Sequence, residues 1–227
     1  MLKTSIIIPA LNEAARIADA VRRASETEPH EVIVVDGGSG DETAELARQA
    51  GACVLTTDPG RATQQNCGAR HATGDVLLFL HADTWLSPDA VRQIESALAD
   101  AAVGCGAFRQ QIEAEGFAYR LLERGNAWRV KHRGIAYGDQ GIFVRRALFE
   151  ELGGFPEVRL MEDLLLMKRL RRRAWPVLLP GPLHVSARRW QRHGVVRQTA
   201  LNWLLLAAER CGVSPDKLAS FYSRHDV

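Results

Sequence analysis

The feature that most constrains this chain is the alternation of two patterns over its first 85 residues. Short apolar or β-branched runs at Ser5–Ile8, Val32–Val35, Ala52–Leu55 and Val76–Leu80 read as strands. Between them, Glu13–Ala24, Asp41–Ala50 and Ala62–Ala72 read as helices. In the first of these, Ile17, Val21 and Ala24 recur on one face at helical spacing. In the second, Ser39 and Glu42 have the spacing of a capping box, and Gly51 supplies a stop. A βαβαβαβ order predicts an α/β fold with a mostly parallel central sheet and helices on both faces. Val76–Leu80 is apolar throughout, which places it centrally. Ligands of such sheets bind beyond the carboxyl ends of the strands, so the residues that follow each strand carry the argument about function.

The rest of the chain is less regular. Pro88–Leu98 is predicted helical after Ser87, Val103–Gln111 and Gly141–Arg145 extended, and Arg146–Leu152 a short helix closed by Gly153 and Gly154. Glu162–Arg173 reads as a helix with acids at its start and Lys168, Arg169, Arg171, Arg172 and Arg173 at its end, which suits the helix dipole. Val177–Leu179 and Leu183–Val185 read as short strands, and the tail from Val195 as largely helical.

Composition narrows the function classes. The 227 residues are 46% hydrophobic and 25% charged, ordinary for a globular protein, so disorder and fibrous structure are excluded as the main state. The formal net charge of +2 gives no bulk attraction for nucleic acid, and no nucleic-acid partner is expected. Cys53, Cys67, Cys105 and Cys211 include no CxxC pair, and no signal-peptide pattern opens the chain. The expectation is a cytoplasmic protein with reduced thiols. The tail stretch Thr199–Ala208 is ten residues without a charge, half of what a membrane-spanning helix needs.

Four segments carry candidate chemistry. Asp36 ends the second strand and is followed by Gly37, Gly38, Ser39 and Gly40. A carboxylate there repels a pyrophosphate but accepts hydrogen bonds from a ribose hydroxyl or a base N–H; the competing reading is a well-capped turn. His81 and Asp83 follow the fourth strand at the sheet rim. Asp83 is a candidate ligand for Mg²⁺ or Mn²⁺, and His81 a second ligand or phosphate contact; the alternative is a rim histidine and a helix cap. Glu162 and Asp163 precede a very apolar helix, as dipole complements or, if Asp163 faces a cleft, as a general base. Arg188, Arg189, Trp190 and Arg192 follow a short strand, a composition for phosphate and sugar contacts or for a solvated charged face.

Taken in this order, the segments SIIIPALNEAARI, EVIVVDGGSGDET, GRATQQNCGARHATGDVLLFLHADT and GIFVRRALFEELGGFPE, with the later MEDLLLMKRLRRR, resemble the family 2 glycosyltransferases with the GT-A nucleotide-sugar-binding fold. The likeness runs from about residue 3 to 193 and looks closest to a short bacterial subgroup related to arsenosugar biosynthesis. It implies one domain over 1–227: a nucleotide-binding half at 1–85, an acceptor half at 86–193 and a helical tail at 194–227. It implies inverting transfer of one sugar from a nucleotide diphosphate sugar, a UDP-sugar first, to an unidentified small-molecule or lipid acceptor. Pro9, Glu13 and Asp36 would form the base and ribose pocket, and Asp83 would hold Mg²⁺ or Mn²⁺. Arg61 or Arg189 would assist at the phosphates, Asp139 would help hold acceptor or donor sugar unless Gly138-Asp139-Gln140 is only a turn, Trp190 would cover an apolar or sugar face, and Asp163 would be the base. Two departures stand out. His81 occupies the first position of the usual Asp-x-Asp metal motif, and Ser186 stands where processive members carry Gln before Arg189-Trp190, which argues for single transfer.

Other classes remain open on the residues alone. A dinucleotide-dependent oxidoreductase would use Gly38 and Gly40 for pyrophosphate and Asp58 for ribose, but Thr43 stands where the third glycine belongs. A nucleotidyltransferase also places metal carboxylates on an α/β rim. A surface-binding protein would use the arginine cluster and Leu201–Leu206, features that equally suit an enzyme held peripherally at the inner membrane face.

Overall fold

The computed structural model describes residues 2–220, apart from the side chains of Arg189, Arg192, His193 and Val196. The first strands follow the expected order: β1 (Thr4–Ala10), β2 (Glu31–Asp36), β3 (Cys53–Thr56) and β4 (Val76–Phe79), joined by α1 (Ile17–Ser25), α2 (Thr43–Gln49) and α3 (Arg61–His71). There follow β5 (Thr84–Leu86), α4 (Ala90–Leu98), β6 (Cys105–Glu113), α5 (Phe117–Arg133), β7 (Ile142–Arg145), α6 (Arg146–Glu151), α7 (Glu162–Leu170) and β8 (Val177–Ser186). The described chain closes with α8 (Arg188–His193), α9 (Val195–Arg210) and α10 (Pro215–Ala219).

The eight strands of the described residues form one sheet in the order β3-β2-β1-β4-β7-β6-β8-β5. Strands β1 to β4 pair in parallel, with Ile7 opposite Ile33 on one side and Phe79 on the other. The antiparallel β7 then joins β4 to β6, β8 runs parallel to β6, and the short β5 closes the edge antiparallel to β8. The parallel half is thus spliced to a mixed half through β7.

Side-chain alternation explains why helices cover both faces. Ile6, Ile8 and Val34 point to one face, where Ile17 and Val21 of α1, Ala47 of α2 and Ile94 of α4 pack on them. Ile7, Ile33 and Val35 point to the other, under Ala62 and Cys67 of α3, Phe149 of α6 and Leu166, Met167 and Leu170 of α7. Ile6, Ile7 and Ile8 are wholly buried, each worth about 1.5–3 kcal/mol over its exposed state. Gly68 lets α3 lie against β1 and β2, because a Cβ there would fall 2.5 Å from Ile7 Cγ2 and 3.0 Å from Val35 Cγ2.

Several local expectations change. The capping box at Ser39 and Glu42 does not form: α2 starts at Thr43, whose N–H is taken by Asp41 Oδ1 at 3.1 Å, while Ser39 turns to Asp36. The first helix begins at Ile17 rather than Glu13, after a turn in which Asn12 takes a left-handed φ of 54°. The two short strands expected after Val177 are one strand of ten residues, with a register shift between Phe108 and Gln110 where β6 meets Pro180 to Pro182. The longest helix, α5, carries no amphipathic signal, since Val130 is its one buried apolar residue; most of its length lies exposed on the mixed half.

Candidate functional site

A cleft of about 870 Å³ opens at the carboxyl ends of β1 and β4. Of the expected site residues, Pro9, Glu13, Arg61, His81, Asp83, Asp139, Asp163 and Trp190 line it. Asp36 does not: it is buried, and its carboxylate accepts the N–H groups of Gly38 and Ser39 at 3.1 and 3.0 Å and the Ser39 hydroxyl. The carboxylate thereby holds a turn in which Gly38 takes a φ of 82°, a conformation that needs glycine. Ser39 and Gly40 pass the order on to the β1 loop: Asn12 N–H donates to Ser39 Oγ, and Gly40 N–H donates to Asn12 Oδ1, each at 2.9 Å. The side chain of Arg189 lies outside the described residues.

One wall of the cleft is the sheet rim. The first turn of α3, Arg61 to Gln64, lies along it, so backbone N–H groups and the positive end of that helix dipole lie beside the cleft with the Arg61 cation. Gln64 fixes this geometry from beneath, donating from Nε2 to the carbonyls of Ala10 and Val35, both at 2.8 Å. Glu13 is paired with Arg16 at 2.9 Å, yet burial pushes its carboxyl above the ordinary range, and the charges of Asp83 and Asp41 add to that. Two acids thus share the rim, Glu13 partly desolvated and Asp83 half-buried.

The opposite wall comes from the mixed half. Met161 takes a left-handed φ of 65°, unusual for a side chain of its size, and turns the chain into α7. Two residues on, Asp163 accepts the Leu164 N–H through Oδ1 and the Gly138 N–H through Oδ2, both at 2.6 Å. Gly138 opens a 3-10 turn, Gly138–Gln140, that carries Asp139 into the cleft. His81 closes on this turn from the rim: a Cβ on Gly138 would lie 2.7 Å from His81 Nε2 and 3.5 Å from Asp163 Oδ2. His81, the departure from the metal motif, therefore joins the two walls beside Asp163.

The described part of the helical tail, residues 194–220, contributes to the cleft. Arg197, Gln198, Leu201, Asn202, Leu205 and Leu206 of α9 line the cleft. The helix is tied to α7 by Lys168 and Glu209 at 2.5 Å. Its signal in the sequence was the uncharged run Thr199–Ala208. The rim residues Gln64 and Gly60 were signalled only by a polar stretch, Gln64-Gln65-Asn66, that is buried on α3.

The donor set for a cation is thin. Among the described residues, no cluster of three or more His, Cys, Asp or Glu side chains is arranged to hold a metal ion. Asp83 would fit one only as a single carboxylate, with a bound diphosphate supplying further oxygens, the way Mg²⁺ is commonly held.

The family model for glycosyl transferase family 2 matches residues 5–153. The undecaprenyl-phosphate 4-deoxy-4-formamido-L-arabinose transferase of Sodalis glossinidius (strain morsitans) is 30% identical over 157 residues, covering 63% of this chain and 48% of that protein. The chain spans about half the length of the curated relatives it matches. The fold superposes on the mannosyltransferase PcManGT from Pyrobaculum calidifontis in complex with GDP-Man and Mn²⁺, at TM-score 0.68 and 23% identity, over 94% of this chain and 66% of that one. It also superposes on glucosyl-3-phosphoglycerate synthase from Mycobacterium tuberculosis in complex with Mg²⁺ and uridine-diphosphate, at TM-score 0.59 and 19% identity, over 94% and 80%. With two-thirds of its length matched by the family model and a GT-A sheet carrying the cleft at its strand ends, the chain belongs to glycosyl transferase family 2.

Proposed function

We propose that this domain transfers one sugar from a nucleotide diphosphate sugar, a UDP-sugar first, to an acceptor hydroxyl with inversion at the anomeric carbon. The observation that carries the reading is the pairing of Asp83 and Asp163 on opposite walls of one cleft. The acceptor oxygen attacks the anomeric carbon from the Asp163 side, Asp163 takes the acceptor proton, and the bond from the sugar to the diphosphate breaks. One base on the face opposite the leaving group gives one displacement and hence inversion. Its contribution is roughly 10²–10⁴ in rate.

On the rim, Pro9 and Glu13 shape the nucleotide pocket. Asp36 uses about three of its four acceptor positions on the loop, so its service to base or ribose is first to hold that loop in shape. Arg61, with the first turn of α3, favours the anionic diphosphate; Arg189 is the second cation proposed for it. A divalent ion, Mg²⁺ or Mn²⁺, would be held by Asp83 and would supply Lewis-acid stabilisation of the leaving diphosphate. Asp139 and Trp190, which also line the cleft, are the residues proposed for sugar contacts.

The relatives' names include undecaprenyl phosphate, and α9 supports a peripheral membrane position here. Trp203 and Leu204 on its outer face are 71% and 66% exposed. No described helix is long and apolar enough to cross a membrane.

The test is thermal stabilisation by UDP, GDP, CDP, dTDP and their sugar conjugates, and by NAD and NADP, with and without Mn²⁺. A ligand at 100 times its dissociation constant adds about 2.7 kcal/mol to stability. Metal-dependent stabilisation by UDP or one UDP-sugar is expected. Stabilisation by NAD(P) alone overturns the transferase reading.

A further inference from the structure

Behind the Asp163 wall lies a cation that the proposed chemistry does not use. Arg129 is on α5, and its guanidinium turns inward from a helix whose apolar side chains are mostly left exposed or half-exposed. It donates from Nε to the Ile135 carbonyl at 3.2 Å, from Nη1 to Asn126 Oδ1 at 2.8 Å and from Nη2 to Gln140 Oε1 at 2.5 Å. Its plane lies over the Tyr137 ring, 3.6 Å from Cζ to the centroid. All these partners except Asn126 belong to residues 135–140, the segment that leads into and through the Gly138 turn.

The contacts close into a circuit. Asn126 Nδ2 donates to Gln110 Oε1 at 2.6 Å, and Gln110 Nε2 donates to the Asp139 carbonyl at 2.9 Å. Gln140 N–H donates to the Tyr137 carbonyl at 2.9 Å, and Gln140 Oε1 also receives the Tyr137 N–H at 3.2 Å. Gln110 and Gln140 are buried, so their amides have one geometry that satisfies these bonds rather than several. Strand β6, helix α5 and the turn are thereby locked together, and the turn presents the Gly138 N–H to Asp163 Oδ2. Burial pushes the guanidinium below its ordinary range, and the nearby carboxylates of Asp139 and Asp163 offset part of that, so the cation also lies within electrostatic reach of the acids it backs.

We propose that Arg129 is a positioning residue: it sets the Tyr137–Gln140 turn and, through the Gly138 N–H, the orientation of Asp163. This rests on Asp163 being the base. Lysine cannot replace it, because a point charge neither spans three acceptors as a fork nor stacks flat on a tyrosine ring. Misplacing a reacting group by 1 Å costs on the order of 10²-fold.

The experiment compares wild type with Arg129→Lys, Arg129→Met, Asn126→Ala, Asp163→Asn and the double variant Arg129→Met/Asp163→Asn. Steady-state transfer from UDP-sugars with Mn²⁺ and amide hydrogen exchange over residues 135–141 are measured on each. Expected for both Arg129 variants is a kcat lowered about 10- to 100-fold with donor KM within about twofold, and faster exchange in 135–141. Asn126→Ala cuts the same circuit while leaving the charge, and is expected to show both effects in weaker form. The double variant is expected to be no slower than Asp163→Asn alone, since Arg129 acts through that residue. Near-normal kcat in a folded Arg129→Met, additive losses in the double variant, or unchanged exchange in 135–141 overturns the proposal. If Arg129→Met fails to fold, Arg129→Lys and Asn126→Ala decide it by the same criteria. If wild type transfers from no donor, the transferase reading falls by itself, and the exchange of 135–141 still judges the role of Arg129.

Discussion

The two walls of the cleft are built by different means. The rim wall is made of residues at or just past the ends of parallel strands: Pro9 to Glu13 at the end of β1 and beyond it, His81 and Asp83 after β4. The hydrophobic register of the sheet fixes where they stand. The far wall is gathered from the Gly138 turn, the start of α7, the end of β8 with α8, and α9. No single periodicity places it; particular contacts do, such as Gly138 N–H to Asp163 and Lys168 to Glu209. Damage to the support of the rim should therefore appear mainly as lost stability, and damage to the far wall mainly as lost turnover.

The largest effect that separates the walls is expected from Asp163→Asn. The asparagine keeps an oxygen for the Gly138 N–H but cannot take a proton. Turnover should fall roughly 10²- to 10⁴-fold, with UDP binding and melting temperature near wild type. Near-normal turnover would remove Asp163 from the mechanism. On the rim, Asp83→Asn should abolish the part of UDP stabilisation that depends on Mn²⁺, a part worth up to about 2.7 kcal/mol at 100 times the dissociation constant. If the metal dependence survives, Asp83 is not the ligand, and His81 or Glu13 becomes the residue to test.

The same contrast governs what was legible in the sequence. The parallel half was readable because its strands are short apolar runs and its first helix has a regular stripe, Ile17, Val21 and Ala24. The rim residues were readable because they follow those strands. Asp163 was readable as an acid before an apolar helix, but its tie to Gly138 spans 25 residues and leaves no local trace. Arg129 was invisible for two reasons. Its helix lacks an apolar stripe, and an arginine on a solvent-facing helix reads as surface unless its inward partners are known. Asp36 shows the opposite limit: its place at a strand end was legible, whereas the three loop donors that occupy it depend on a turn geometry that glycines leave open.

Gly68→Ala tests the rim from beneath. The added methyl would meet Ile7 Cγ2 at 2.5 Å and Val35 Cγ2 at 3.0 Å, two side chains of the wholly buried sheet centre. Overpacking of this kind costs about 1–3 kcal/mol. Chemical denaturation should show that loss, with kcat of the folded fraction unchanged. A fall in kcat without a fall in stability would mean that the rim is not separable from the chemistry.

The smallest effect lies at the far end of β2, away from the cleft, and depends on pH. Glu31 Oε1 accepts the Ser5 hydroxyl at 2.7 Å, the Thr73 N–H at 2.7 Å and the Thr73 hydroxyl at 2.8 Å. Burial by itself would raise its carboxyl, but these hydrogen bonds outweigh it and hold the group below its ordinary 4.5. A depressed folded-state value means that the ionised form is favoured by folding. The stabilisation is then complete above the unfolded value near 4.5 and is lost as pH falls through the lower folded value. Glu31→Gln should therefore cost about 1 kcal/mol at neutral pH, after allowance for the partial exposure of the site, and progressively less in acid. The readout is urea denaturation of both proteins at pH 7 and pH 3. A cost that is the same at both would show that Glu31 acts by shape and not by charge, while unchanged donor affinity at pH 7 would confirm that this end of the parallel half supports the rim without belonging to it.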